Sequence, residues 1–288
     1  MVADAVEPPA WEKTDVVVSD TAISLYQYGE HREDKVFMLM GGSGEIPKNL
    51  DFENLNVLAK SYASDGKQLI MVSMPYFEDE RDSIQKASQE VLNILNIAVQ
   101  SGYLQSGYTL IGGSAGTLMI SSMLDFDQTA EPSPYDKING NGVEGRLIDN
   151  VGEVILLAGP HHNAHYFLDN AHIEGLMDRY NVTALTSLDE TIDFQDRWGM
   201  YLEKLAPNLK IVVGDRDHMI CSDENDPQLP CSPDMDDAIN LWVETVTDGQ
   251  YILEDLEDFG IAKMIEGEGH NLTVTKYLDF ILPSKPKK

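Results

Sequence analysis

The sequence feature that most restricts the fold is a glycine-rich motif between two apolar segments. Residues 112–116 read Gly-Gly-Ser-Ala-Gly, after an apolar run at 108–111 that favours a β-strand and before an apolar, helix-compatible segment at 118–123. A serine at the tip of so sharp a turn is held in a strained backbone conformation, and its neighbours two places away must be small. Glycine occupies both of those places. The motif therefore predicts a strand, a tight turn that carries Ser114, and a helix.

This G-x-S-x-G pattern, in its strand-turn-helix context, resembles the nucleophile turn of the α/β-hydrolase superfamily. The resemblance implies an α/β fold with a mostly parallel central sheet, helices on both faces and a helical cap insertion. It also implies that Ser114 is the nucleophile of a triad. In this superfamily the acid follows the serine along the chain, and the histidine follows the acid.

The rest of the chain alternates between strand and helix patterns, as a parallel sheet requires. Residues 15–19 and 22–28 predict two short antiparallel strands at the start of the sheet. Apolar runs predict the further strands at 36–40, 68–74, 154–158, 209–214 and 261–265, and apolar spacing favours helices at 54–63, 83–100 and 272–282.

Two downstream motifs match the remainder of the superfamily's triad. The acid characteristically occupies the last place of a Gly-x-x-Asp turn, which here is Asp217, and Asp215 is the alternative. The loop after the last predicted strand contains a glycine immediately before His270. The resemblance implies that His270 takes the proton from Ser114 and later returns it to the leaving group.

The resemblance also implies an oxyanion hole built from backbone N–H groups. Ala115, which follows the nucleophile, supplies one donor, and the glycine-rich segment at 41–44 supplies the other. Under one alignment with the superfamily's pattern, the backbone N–H of Gly42 donates to the oxyanion. Under the other alignment Ser43 donates and Gly41 replaces the usual histidine, so both choices stay open.

Residues 160–206 interrupt the strand-helix rhythm with two helical stretches, and we interpret them as a cap over the active site. Residues 1–159 and 207–288 are then the hydrolase core. Gly41, His161 and His162 are expected to contact the substrate, because strand ends in such sheets face the ligand crevice. The histidine spacing matches no zinc motif, so we expect no metal, and no organic cofactor is implied.

Composition excludes several classes of partner. Acidic residues outnumber basic ones 49 to 20, which gives a formal net charge of −29. Such a surface repels phosphate groups and anionic lipids, so neither nucleic acid nor a membrane surface is expected as a partner. No apolar run reaches the roughly 18 to 20 residues that span a bilayer, and the first residues lack a signal-peptide pattern. We expect a soluble protein, either cytoplasmic or exported with its leader removed.

The two cysteines, Cys221 and Cys231, flank a polar loop. They would close a disulfide in an oxidising compartment and would stay free thiols in a reducing cytosol.

The pattern as a whole predicts a serine hydrolase that cleaves a small-molecule carboxylic ester, or a thioester or lactone, through an acyl-enzyme. Hydrolysis of a C–C bond and acyl transfer to another acceptor use the same triad and stay open. From a different class, a non-catalytic binding module with this fold typically lacks a triad residue. This chain has all three.

Overall fold

A computed structural model of the chain describes residues 11–18, 21–40, 52–73, 91–92, 94–95, 98–99, 103–105, 107–113, 116–117, 120, 123, 150–158, 208–216, 253–269 and 271–282. The strands within these ranges are β1 (Trp11–Val18), β2 (Thr21–Tyr28), β3 (Lys35–Met40), β4 (Gln68–Ser73), β5 (Tyr108–Gly113), β6 (Val151–Leu157), β7 (Leu209–Gly214) and β8 (Ala262–Ile265). The helices with defined bounds are α1 (Phe52–Ser64), α2 (Leu253–Asp258) and α3 (Val274–Ile281). The backbone is also helical at 91–92, 94–95, 98–99, 116–117, 120 and 123.

The eight strands form one sheet in the order β1-β2-β4-β3-β5-β6-β7-β8. The predicted antiparallel pair β1 and β2 is confirmed, and β2 also pairs with β4 in the antiparallel direction. From β4 to β8 all neighbours are parallel. Strands of a parallel sheet are covered on both faces, which explains why β3, β4, β5 and β7 are almost continuously apolar and buried.

One face of the sheet is covered by α1 and α3, which pack against each other. Their buried side chains recur at three- and four-residue spacing, as an amphipathic helix requires. In α1 these are Leu55, Leu58, Ala59 and Tyr62, and in α3 they are Val274, Tyr277 and Ile281. They form one apolar cluster with Val36, Met38, Ile111, Ile155 and Val212 of the central strands.

Several predicted boundaries are wrong, and tertiary contacts account for the clearest difference. Strand β1 begins at Trp11, four residues before the predicted start, because the Trp11 indole packs edge-on against Tyr28 and its Nε1 donates to Asn56 Oδ1 at 2.9 Å. Strand β6 begins at Val151 rather than at residue 154. The short helix α2 was not predicted.

The division into a core and a cap stays a prediction, because residues 159–207 lie outside the described ranges. No helix among the described residues is long and apolar enough to cross a membrane.

Candidate active site

The candidate site lies at the carboxyl ends of the parallel strands. Met40 at the end of β3 pairs with Gly113 at the end of β5, which in turn pairs with Leu157 at the end of β6. Gly214 and Ile265 pair at the ends of β7 and β8. Because these strands run in the same direction, the segments that follow all of them leave from one edge of the sheet.

The strand order reverses between β3 and β5. From β3 the chain passes through α1 to β4 on one side, whereas after β5 it continues to β6 on the other side. In open α/β sheets a crevice forms outside the carboxyl ends of the strands at such a switch point, and this crevice is where ligands bind.

Two glycines allow close packing between the end of β5 and the helix that follows it. A Cβ atom added to Gly112 would lie 2.7 Å from the carbonyl oxygen of Gly116 and 2.8 Å from Ile120 Cδ1. A Cβ atom on Gly116 would collide with the backbone carbonyl of Leu39 in β3. The helix that follows β5 therefore begins in direct contact with β5 and with the end of β3. Any side chain at either glycine would push these elements apart.

This packing gives a stability prediction. Gly116→Ala should lower the free energy of unfolding by about 2 kcal/mol or more, because a methyl group cannot be placed without moving the backbone of Leu39. Urea denaturation of the purified variant measures the loss. Gly269→Ala is the matched control and should cost less than about 1 kcal/mol, since among the described residues its Cβ would approach only the Arg216 carbonyl oxygen, at 3.3 Å. Equal stability of Gly116→Ala and the wild type would contradict the described packing of Gly116 against Leu39.

Strand β6 ends in an unusual backbone conformation. Ala158, directly after the strand, is buried and has a φ of 54°, while its N–H donates to the Val212 carbonyl at 2.9 Å. A left-handed conformation costs a non-glycine residue about 1 kcal/mol or more. The chain thus bends sharply at the same edge of the sheet, three residues before His161.

The loops that follow β7 and β8 are joined by backbone contacts. Arg216 N donates to the Glu268 carbonyl at 2.8 Å, and Asp215 N donates to the Ile265 carbonyl at 3.3 Å. Gly214 has no room for a side chain, because an added Cβ would collide with the Glu268 carbonyl. The two loops are therefore held against each other at the sheet edge.

The Asp215 carboxylate takes part in the same junction. Its Oδ1 accepts a hydrogen bond of 2.7 Å from the backbone N–H of Gly267, which has a φ of 74° in the turn after β8. One carboxylate oxygen of the alternative acid thus stabilises the turn that leads to the histidine loop.

Among the described residues that follow β7 and β8, Glu268 is the most buried acidic one, with 8% of the residue exposed. Its Oε2 accepts a hydrogen bond of 2.7 Å from Thr273 N, and its Oε1 pairs with Lys276 Nζ. Burial raises the pKa of this carboxyl, but the bonds from Lys276 and Thr273 outweigh burial and hold the pKa below its usual value. Glu268 is therefore ionised at neutral pH.

The three predicted triad residues, Ser114, Asp217 and His270, lie outside the described residues. Each of them directly follows a described residue that belongs to the edge above: Gly113, Arg216 and Gly269. The other predicted site residues that lie outside the described ranges are Ala115, Gly41, Gly42, Ser43, His161 and His162, and the cysteines Cys221 and Cys231 also lie outside them.

Sequence reasoning missed Glu268. The signal that could have indicated it is a second glutamate in the loop Glu-Gly-Glu-Gly-His, five residues before the threonine at the N-cap of α3. Within the described part of the chain, no group of three or more histidine, cysteine, aspartate or glutamate residues is arranged to hold a metal ion.

Comparisons with known proteins give similarity at the level of structure. No protein-family model matches the sequence, and the comparison with curated proteins gives no match. An inhibitor-bound structure of esterase B from Lactobacillus rhamnosis is similar with a TM-score of 0.51 and 14% identity, covering 90% of this chain and 76% of that one. Est1E from Butyrivibrio proteoclasticus is similar with a TM-score of 0.48 and 12% identity, covering 90% of each chain.

The likeness to esterase B is a likeness of fold, found for a chain whose described strands form one mostly parallel sheet with an antiparallel start. The chain therefore has the α/β-hydrolase fold.

Proposed function

We propose that the protein is a serine hydrolase that cleaves a carboxylic ester, thioester or lactone through an acyl-enzyme. The observation that carries the proposal is the close packing after β5, where Gly112 and Gly116 let a helix start against the ends of two strands at the switch point of the sheet. The residue that directly follows β5 in the sequence is Ser114. A fold alone does not fix an activity, so the proposal depends on the residues at this edge.

In the proposed mechanism, Ser114 Oγ attacks the substrate carbonyl carbon while His270 takes the hydroxyl proton. The negative charge of the tetrahedral intermediate is stabilised by the N–H of Ala115 and by that of Gly42 or Ser43. His270 then protonates the leaving alcohol, and an acyl-serine remains. Water attacks this ester with the same proton transfers and releases the acid.

Asp217 is assigned to accept the Nδ1–H of His270, which keeps the imidazole in the correct tautomer and stabilises its cation. The contacts between the loops after β7 and β8 support this assignment. The Arg216 to Glu268 hydrogen bond joins the residue before Asp217 to the residue two places before His270. The Gly-x-x-Asp pattern assigns Asp217 to the histidine, while Asp215 Oδ1 accepts a hydrogen bond from Gly267 N in the turn after β8.

The proposed class is also that of esterase B, whose fold this chain resembles. The test is a panel of p-nitrophenyl esters of increasing acyl length, with a thioester and a lactone, measured in the steady state and in the first turnover. We expect saturable hydrolysis of at least one ester, with a burst of p-nitrophenol close to one equivalent per enzyme where deacylation is slow.

Two outcomes would contradict ester hydrolysis as the main activity. Formation of a new ester when an alcohol acceptor is added, at a rate above that of hydrolysis, would assign acyl transfer. Absence of turnover with the whole panel would contradict ester hydrolysis and would leave C–C bond cleavage or a non-catalytic binding module.

A further inference from the structure

Glu268 connects the histidine loop to its surroundings in two ways. Through its side chain it bonds to Thr273 N, so a single carboxylate spans the segment from 268 to 273 that contains His270. Its main-chain carbonyl accepts a hydrogen bond from the N–H of Arg216, one residue before Asp217. The same residue therefore contacts the chain after the proposed base and the chain before the proposed acid.

The environment of this carboxylate argues against an incidental surface ion pair. Only 9% of the Glu268 side chain is exposed, whereas 44% of the Lys276 side chain is exposed. Burying a carboxylate is costly unless it is hydrogen-bonded and paired, and here it is both. Exposed ion pairs need no such burial and contribute little to stability. The bonds of Glu268 therefore restrain a short loop, and they do so with a desolvation cost that an exposed glutamate would not have.

We propose that Glu268 is a positioning residue, which fixes the His270 segment relative to the loop that carries Asp217; this role rests on the proposed function. Its expected effect is on the chemical step. A displacement of about 1 Å in a catalytic group can lower the rate roughly 100-fold without weakening substrate binding to the same degree.

The test compares variants that remove different parts of the connection. Glu268→Ala removes both side-chain bonds. Glu268→Gln keeps a side-chain oxygen that can accept the hydrogen bond from Thr273 N. Thr273→Pro removes the N–H donor together with the threonine hydroxyl, both of which bond to Glu268, and keeps the Glu268 carboxylate with its Lys276 pair; the φ of −76° at residue 273 is already suitable for proline. Glu266→Ala is the control, because Glu266 is an exposed carboxylate in the same turn.

We expect Glu268→Ala and Thr273→Pro to lower kcat by about 10- to 100-fold, with KM changed less than about 3-fold. Glu268→Gln should stay within about 3-fold of the wild-type kcat, and Glu266→Ala should match the wild type. Fluorophosphonate titration should show the same fraction of reactive enzyme in every variant but slower labelling where kcat falls. Hydrogen exchange of the peptide that contains 268–273 should be faster in the same two variants.

These readouts separate the two proposals. If the wild type labels and hydrolyses esters while Glu268→Ala and Thr273→Pro retain its kcat and labelling rate, the positioning role is wrong and the proposed function stands. A loss of the reactive fraction, without slower labelling of what remains, would reduce Glu268 to a structural role and overturn the inference. If the wild type neither labels nor turns over any ester, the proposed function fails, and the positioning role fails with it. If Glu268→Ala does not fold, the kcat and labelling rate of Thr273→Pro are compared with those of Glu268→Gln. A lower kcat and slower labelling in Thr273→Pro would support the positioning role, and equal values would contradict it.

Discussion

Ser114→Ala should lower kcat for ester hydrolysis by at least about 1,000-fold, and His270→Ala should lower it by a similar factor. In the proposed mechanism, loss of either group removes the whole nucleophilic step, because the serine needs the base and the base has no other function. The double variant should therefore be no slower than the worse single variant. Steady-state kinetics on the best ester of the panel measures these effects.

The control for Ser114→Ala is another serine-to-alanine change far from the site. Ser61 lies in α1, and its hydroxyl donates to the Val57 carbonyl at 2.8 Å. Ser61→Ala should keep the wild-type kcat, and both alanine variants should unfold within about 1 kcal/mol of the wild type. A Ser114→Ala variant that keeps a tenth or more of the activity would exclude Ser114 as the nucleophile.

Asp217→Asn should lower kcat by about 1,000-fold or more, because an amide cannot hold the imidazole in the tautomer that accepts the serine proton. Asp215→Asn should stay within about 3-fold of the wild type, since the asparagine oxygen can still accept from Gly267 N. The two variants are compared by kcat/KM with one ester at one pH.

Asp215→Ala adds a control for the turn after β8. It removes the acceptor of Gly267 N and should lower stability by about 1 kcal/mol while leaving kcat much closer to that of the wild type than Asp217→Asn does. If Asp215→Asn proves the more damaging of the two asparagine variants, the acid of the triad is Asp215.

Local pattern predicts the apolar middle of these strands well and the strand ends less well. Strand β7 has the predicted bounds, because the apolar residues at 209 and 211–213 suit a strand buried between two neighbours. Strand β3 begins one residue early, at Lys35, since its amino group donates to the Arg32 carbonyl at 2.8 Å and lies 4.4 Å from the centre of the Tyr103 ring. A buried lysine is stabilised by contacts that no local pattern contains.

The end of β5 shows the same limit at the site itself. The apolar run predicts a strand only to residue 111, because glycine is a poor strand former. The strand continues to Gly113 through pairing with Met40 and Leu157. Partners of this kind are set by the sheet order, which a single strand does not encode.

For the site, the sequence predicts which residues follow the strand ends but not how the loops contact each other. The roles of Asp215 and Glu268 depend on the register of β7 with β8, which brings Gly214 opposite Ile265. Only that register makes the Arg216 to Glu268 and Asp215 to Gly267 hydrogen bonds possible. A glutamate in a glycine-rich loop is otherwise an ordinary exposed residue.

The most direct test of the proposed nucleophile is reaction with a fluorophosphonate, followed by intact mass and peptide mapping. This reagent modifies an activated serine and leaves unactivated hydroxyls unchanged. We expect one adduct per chain on the peptide that contains Ser114, and no adduct in Ser114→Ala or His270→Ala. A wild-type protein that stays unmodified, or that carries the adduct on another serine, would contradict the proposal.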